Sequence, residues 1–420
     1  MPLPPAVRDL RAPGLLILAL IGFVLHAAGG GASDATAAAV DSAAQRSATW
    51  GPAPFKDEFA AKIASSGRSA WLATSGLDAN DKVRLGVYRY SAGEWAALPG
   101  RPRSTTDTGV HLAVLPTTRD QPAAPCVGDT SPKHLGRVRC FQVGHWIEEK
   151  IPPFLRRDFL SDLQTTDDGR LVALFFAWKK VSEGHFHFRT VIHLAELRDG
   201  RFIADTPPIR VPNHQAIASL VATTVDTRST SPEVGIMLSS QPTRRWVDSL
   251  RGSRWVQSRP LPKELVGGSM TSGAVRDGTS IFFPVSQVEF PTPLPYEASI
   301  YGTGGDGSWR EVGGQPLNTG LGSAQTSLYP VGDRVWAIWI ENDFEHAEFG
   351  GMIKTGVFAA RISLSGRTYD RKVTLWTGET VFPEIPQVID FRGRPMFLYF
   401  RQQSRYGGMH ATVELGIPRP

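Results

Sequence analysis

Seven stretches of this chain share one chemistry: an aromatic residue stands at the start of a short strand-like segment, and a proline follows about four to eight positions later. They are TWGPAPF at Trp50, EWAALPGRP at Trp95, HWIEEKIPP at Trp146, RFIADTPPI at Phe202, RWVQSRPLP at Trp255, SWREVGGQP at Trp309 and LWTGETVFP at Trp376. The aromatics are 45, 51, 56, 53, 54 and 67 residues apart. A recurring unit of this length is a supersecondary element that cannot bury its apolar face alone, so neighbouring copies must stack. The last interval is long because of an insertion near residues 341–355.

Between the anchors the chain reads as strands. The third unit gives Leu163–Thr166, Arg170–Trp178, Thr190–Leu197 and Arg201–Asp205; the sixth gives Gln325–Val331, Arg334–Ile340, Gly356–Ser363 and Lys372–Thr377. These runs are rich in Val, Ile, Phe, Trp and Leu, and polar residues alternate in the outer ones. Sharp turns punctuate them at Asp168-Gly169, Asp199-Gly200, Asp277-Gly278, Asp306-Gly307 and Arg392-Gly393. An Asp-Gly pair between two strands marks a hairpin, because glycine accepts positive φ without penalty. Each unit is therefore expected to be a four-stranded antiparallel sheet. The seventh has only Ile385–Phe391, Pro395–Arg401 and His410–Leu415, and its missing strand stands at the other end, as Thr49–Phe55. Pairing of that strand with the C-terminal one would shut a ring and remove an open sheet edge.

Aromatic anchors, Asp-Gly hairpins and this exchange of strands resemble the β-propeller class over the whole chain after the linker. The resemblance is nearest to sialidase-like and related secreted bacterial propellers, and it is one of architecture. It implies an all-β fold, a single seven-bladed propeller of four-stranded blades closed by the N-terminal strand. Catalytic residues do not carry over. The sialidase Asp-box reads Ser-x-Asp-x-Gly-x-Thr-Trp, and the segment Thr303-Gly-Gly-Asp306-Gly307-Ser308-Trp309 has the wrong spacing. Arg210-Val211-Pro212 stands in mid-chain, away from where the Arg-Ile-Pro signature would serve. WD dipeptides and the kelch Gly-Gly pattern are missing as well.

Arg8 and Arg11 precede the apolar run Gly14–Leu25, and small residues continue to Ala32. This is the order of a secretory signal peptide, and the run falls short of the ~18 apolar residues that span a bilayer. The expected organisation is a signal peptide over 1–32, a flexible linker over 33–48 and the repeat domain over 49–420. The processed protein is expected in the periplasm or outside the cell, and not as an integral membrane protein. Cys126 and Cys140 are the two cysteines of the chain. In an oxidising compartment they are expected to form a disulfide. A net charge of +5 without a Lys/Arg run argues against a nucleic-acid partner.

In a propeller the loops joining second to third strands share a face with the connections between blades, so polar groups converging there are the candidates for function. The sixth-unit loop carries Glu341, Asp343, Glu345, His346 and Glu348. Such carboxylates suit a cation such as calcium, or acid–base work on a sugar, and equally a solvated acidic loop. No other cofactor is implied. His185 and His187 of the third-unit loop alternate on an extended segment, so both can face one metal, although two ligands need help from elsewhere. The seventh-unit loop offers Arg401, Arg405, Tyr406 and His410, suited to an acidic glycan. In the fifth-unit loop, Phe290 and Tyr296 flank three prolines, as a pocket wall or as ordinary packing.

Propellers host lectins, lyases, hydrolases and scaffolds alike. The leading expectation is an exported propeller that binds a glycan or a partner protein on one face. The alternatives are a carbohydrate-active hydrolase or lyase using Glu345, His346 and Arg401, and an envelope-associated scaffold. Whether the protein is an enzyme stays open at this level.

Overall fold

The structure, a computed structural model, describes residues 49–50 and 55–415 apart from internal segments, the longest of which are 101–109, 181–187, 224–234, 263–272, 288–296, 344–352 and 403–408. The described residues form strands joined by turns, and antiparallel neighbours in sequence pair within each repeat unit. Sheet 1 runs outward through Asp57–Ser66, Ser69–Leu77, Val83–Ser91 and Glu94–Ala97, and sheet 2 through His111–Leu115, Ala124–Asp129, Arg137–Gln142 and His145–Glu148. Sheet 3 follows with Phe159–Thr165, Leu171–Lys180, Phe188–Arg198 and Arg201–Ile203.

The first strands of successive sheets touch one another in order, and Gln387–Phe391 of the last returns to Asp57–Ser66 of the first. The sheets therefore stand like blades round a common axis, with inner strands at the centre. Second strands such as Ser69–Leu77 and Arg334–Asn342 are buried almost throughout, because a neighbouring sheet covers each face. Outermost strands such as Glu94–Ala97 and His145–Glu148 are mostly exposed. Apolar clusters fill each gap: Trp71, Leu85 and Val87 meet Leu112 and Val127, while Leu72 and Tyr88 meet Leu398 and Phe400. This is a β-propeller.

Its blade count corrects the expectation of seven four-stranded blades: the described residues form six sheets. Ala222 and Thr223 of Ala216–Thr223 pair in parallel with Val275 and Arg276 of Val275–Asp277, so the fourth and fifth repeat units join in one eight-stranded sheet 4. Inner strands converge at the axis, and here two unpaired edges come close enough to satisfy one another. The halves of sheet 4 still pack together, Val247 against Ile281 and Phe283. Sheets 3 and 5 each carry a fifth strand, Ile209–Val211 on Phe188–Arg198 and Val373–Thr380 on Ile353–Ser363. Sheet 6 is completed from the far end of the chain, Thr49 pairing with Val413 and Trp50 with Thr412.

The aromatic–proline repeat has a structural cause. Trp146 Nε1 donates to the Pro99 carbonyl at 3.2 Å, Trp255 Nε1 to that of Pro207 at 2.7 Å and Trp309 Nε1 to that of Pro260 at 3.1 Å. Each tryptophan thus clasps the proline that follows the preceding copy's outer strand. The Phe202 ring has no N–H to give; there a backbone bridge replaces the clasp, Phe202 N donating to the Lys150 carbonyl at 2.8 Å. Trp255→Phe keeps most of the packing and removes one such bond, so it is expected to lower stability by about 1 kcal/mol in denaturant titration. Inner strands are also stitched by side chains: Gln387 donates to the Ala61 carbonyl at 3.0 Å and accepts from Ile63 N at 3.3 Å.

Cys126 and Cys140 face each other across adjacent strands and form a disulfide. Asp199-Gly200 and Arg392-Gly393 adopt the positive φ expected of tight hairpin turns. So does Val143-Gly144, where a β-branched residue that is 91% exposed holds φ 49. Left-handed backbone is strained for valine and natural for asparagine. Val143→Asn is therefore expected to raise stability by about 1 kcal/mol, read as a higher denaturant midpoint.

Candidate functional site

One face of the ring collects the loops between second and third strands together with the connections between sheets. Sheet 3 brings several aromatic and charged side chains to this face. Phe159 opens its inner strand, and Phe176, Trp178 and Lys179 lie near the end of the next. The register sets Phe159 opposite Phe176, so alternation puts Phe159, Phe176 and Trp178 on the face turned towards sheet 4. Phe159 and Phe176 stack with centroids 5.4 Å apart, and Trp178 tilts against Phe176 at 5.4 Å. All three stay partly exposed. The result is an aromatic ladder at the rim.

The other face of the same strands carries charge. Lys179 stands opposite Arg189, and Arg210 lies on the adjoining strand opposite Val191. His193 is on this face too, with the ring of Phe154 edge-on at 5.6 Å. Phe154 is 58% exposed, in the connection that leads from sheet 2. Asp158, the residue before the ladder, is buried. Burial pushes its carboxyl up to about 6, and the Lys179 ammonium offsets only part of that. Burial, then the cations Lys179 and Arg210, hold His193 below the ordinary histidine range. Gly136 closes the floor: a Cβ there would lie 2.9 Å from Phe175 Cε1 and 3.2 Å from the Asp158 carbonyl.

At the axis, His111 begins the inner strand of sheet 2. Burial drives its imidazole down to about 4; Lys62 adds to this, and Asp162 and a hydrogen bond with the Leu160 backbone oppose it. It is a neutral histidine at physiological pH. The inner strands of sheets 1, 3 and 5 each break register close to their starts, between Glu58 and Ala60, Leu160 and Asp162, and Ser323 and Gln325. Bulges at equivalent places bend the strands at the mouth of the channel.

The residues singled out from sequence are distributed differently. Glu341 is buried, not offered to solvent: its Oε1 accepts from Lys372 Nζ at 2.5 Å and from Trp339 Nε1 at 2.8 Å. Lys372 in turn sits 3.7 Å over the Phe358 ring. Asp343 is half-buried just beyond this strand. His410 pairs with Arg401 across two strands, and its Nδ1 is buried without a partner among the described residues. Glu345, His346, Arg405, Tyr406, His185, His187, Phe290 and Tyr296 lie outside the described residues, as does the side chain of Arg401. Among the described residues no three His, Cys, Asp or Glu are placed to hold a metal ion. None of their helices is long and apolar enough to cross a membrane. Sequence reasoning gave no site role to Asp158, Lys179, Arg189, His193 or Arg210; the Phe-Phe-Ala-Trp-Lys-Lys run at 175–180 was the available signal for Lys179.

No protein-family model and no curated protein matches the sequence. Solved structures do match in shape. The polysaccharide lyase Uly1 is 10% identical with a TM-score of 0.51, over 87% of this chain and 90% of that one. An acylaminoacyl peptidase from Pyrococcus horikoshii is 9% identical with a TM-score of 0.50, over 87% of this chain, which spans 52% of that one. The β-propeller domain of the Trilobed protease from Pyrococcus furiosus is 9% identical with a TM-score of 0.45, over 86% of this chain and 96% of that one. At such identities the likeness is one of fold.

Proposed function

We propose that this protein is an exported β-propeller that binds a glycan at the channel-mouth end of sheet 3. The observation that carries the reading is the ladder Phe159, Phe176 and Trp178, partly exposed, with Lys179 and Arg189 at the same end of the sheet on its reverse face. Sugar rings present apolar C–H faces that stack on such surfaces, while their hydroxyls need polar neighbours. His185 and His187, in sequence between the second and third strands of sheet 3, belong to the same proposal as further contacts, and so do Arg405 and Tyr406. Residues 1–32 act in it as the export signal and 33–48 as a linker; N-terminal sequencing of the exported protein tests that part.

A glycan array probed with the processed protein tests the binding. Trp178→Ala is expected to weaken the best ligand about tenfold while the protein keeps its cooperative melt. An array with no hit, or hits indifferent to Trp178, would sink the reading. Asp158 favours a second reading, a hydrolase or lyase, because a carboxyl near neutrality can donate a proton. Appearance of new chain ends on incubation with the array's best glycan, abolished by Asp158→Asn, is the result that reading requires.

A further inference from the structure

We propose that the glycan is anionic, and that Lys179, Arg189 and Arg210 grip its carboxylate or sulfate groups; this rests on the glycan reading above. Lys179 and Arg189 are directly opposed on adjacent antiparallel strands, and Arg210 occupies the next strand on the same face. All three are exposed. Like charges placed opposite one another in a sheet oppose folding, so the arrangement costs stability unless an anion relieves it. Among the described residues no carboxylate stands within ion-pair distance of Lys179, Arg189 or Arg210. Other cations of the described residues do have acidic partners: Arg137 and Arg139 share Asp129, and Arg170 and Arg198 share Glu196. Asp158, whose burial raises its carboxyl to about 6, feels the Lys179 ammonium, and above that pH it sets one negative charge against three cations. The field of this face is therefore positive, and Phe154 and His193 add ring surfaces beside it.

The footprint favours a sugar chain over a nucleic acid. Adjacent strands lie ~4.8 Å apart and residues ~3.4 Å along each, so with Arg210 two positions out of line with Arg189 the cations' backbones fall within about 12 Å. That span suits one or two anionic groups and is too short to follow a run of phosphates. Arginine's planar fork is matched to carboxylate and sulfate oxygens, and lysine adds a point charge.

The test compares dextran sulfate, neutral dextran, poly(vinyl sulfate) and single-stranded DNA of equal charge as titrants of the full processed chain. The variants are the triple Lys179→Gln/Arg189→Gln/Arg210→Gln and the remote control Arg254→Gln. Dextran sulfate is expected to bind and dextran not. The triple variant should weaken binding about tenfold or more, the control hardly at all, and the triple should melt no lower than the parent because it removes mutual repulsion. Undiminished binding by the triple variant, or tighter binding of DNA than of dextran sulfate, overturns the proposal. A neutral glycan whose binding needs Trp178 and ignores the three cations overturns the anionic ligand and leaves the glycan reading standing. Equal binding of poly(vinyl sulfate) and dextran sulfate, both lost in the triple variant, supports the anion grip and overturns the glycan reading.

Discussion

Lys372→Met is expected to destabilise this propeller by about 3 kcal/mol in denaturant titration at neutral pH. The methionine keeps the stem that covers the Phe358 ring and removes only the ammonium that meets Glu341. What remains is a carboxylate whose side chain is 2% exposed, held by the Trp339 indole alone. A buried charge that loses its partner suffers its full desolvation, which outweighs the modest gain the pair supplied. The low end of the range applies because the Lys372 side chain is 28% exposed, so water can follow it in. Adding Glu341→Gln should recover most of the loss, since a neutral amide can still accept from Trp339. A change under about 0.5 kcal/mol in the single variant would show that Glu341 is not dependent on this pair.

Asp158→Asn is expected to act in the opposite direction. The carboxyl rises from 3.8 to about 6 on folding, so the folded state holds its proton more tightly than the unfolded chain does. Above pH 6 the group is ionised in both states and the fold carries the penalty of burying charge; below 3.8 it is neutral in both and the penalty is gone. Wild type therefore gains on this account as pH falls between those limits, and the variant does not. Full shielding would make the difference about 3 kcal/mol, and screening by the water that reaches the group reduces it to about 2 kcal/mol. At pH 7.5 the variant should be the more stable by that amount, and near pH 3 the two should coincide. Equal stabilities across the range would mean that Asp158 is freely solvated. A carboxylate kept where it weakens the fold is what a working site looks like, and stabilisation paired with lost glycan binding would place Asp158 among the binding groups.

Much of this architecture is legible in single residues of the chain. Trp146, Trp255 and Trp309 announce themselves with Pro99, Pro207 and Pro260 because each indole needs a carbonyl near the surface and a proline carbonyl in a turn offers one. The pairing of Thr49 with Val413 follows from counting strands at the two ends. The site was harder to read. Lys179 and Arg189 are ten residues apart, and nothing local tells that they are opposed; the register of the hairpin between them decides it. Asp158 looks like any acid before a strand until folding buries it, with Gly136 close against its backbone carbonyl. Glu341 stands in an acidic run, and only the ladder beside it turns Lys372 onto its oxygen.

Periodicity and turn chemistry are properties of neighbours along the chain, so strand, hairpin and the circular exchange at the ends are set by the amino-acid order itself. The number of sheets and the charge state of buried groups depend on approach in space. Two parallel pairs, Ala222 with Val275 and Thr223 with Arg276, fuse two repeat units into one sheet because inner edges crowd at the axis. Burial is the largest cause that moves Asp158 and His111 in opposite directions, the acid up and the imidazole down, because a low dielectric disfavours whichever form carries charge.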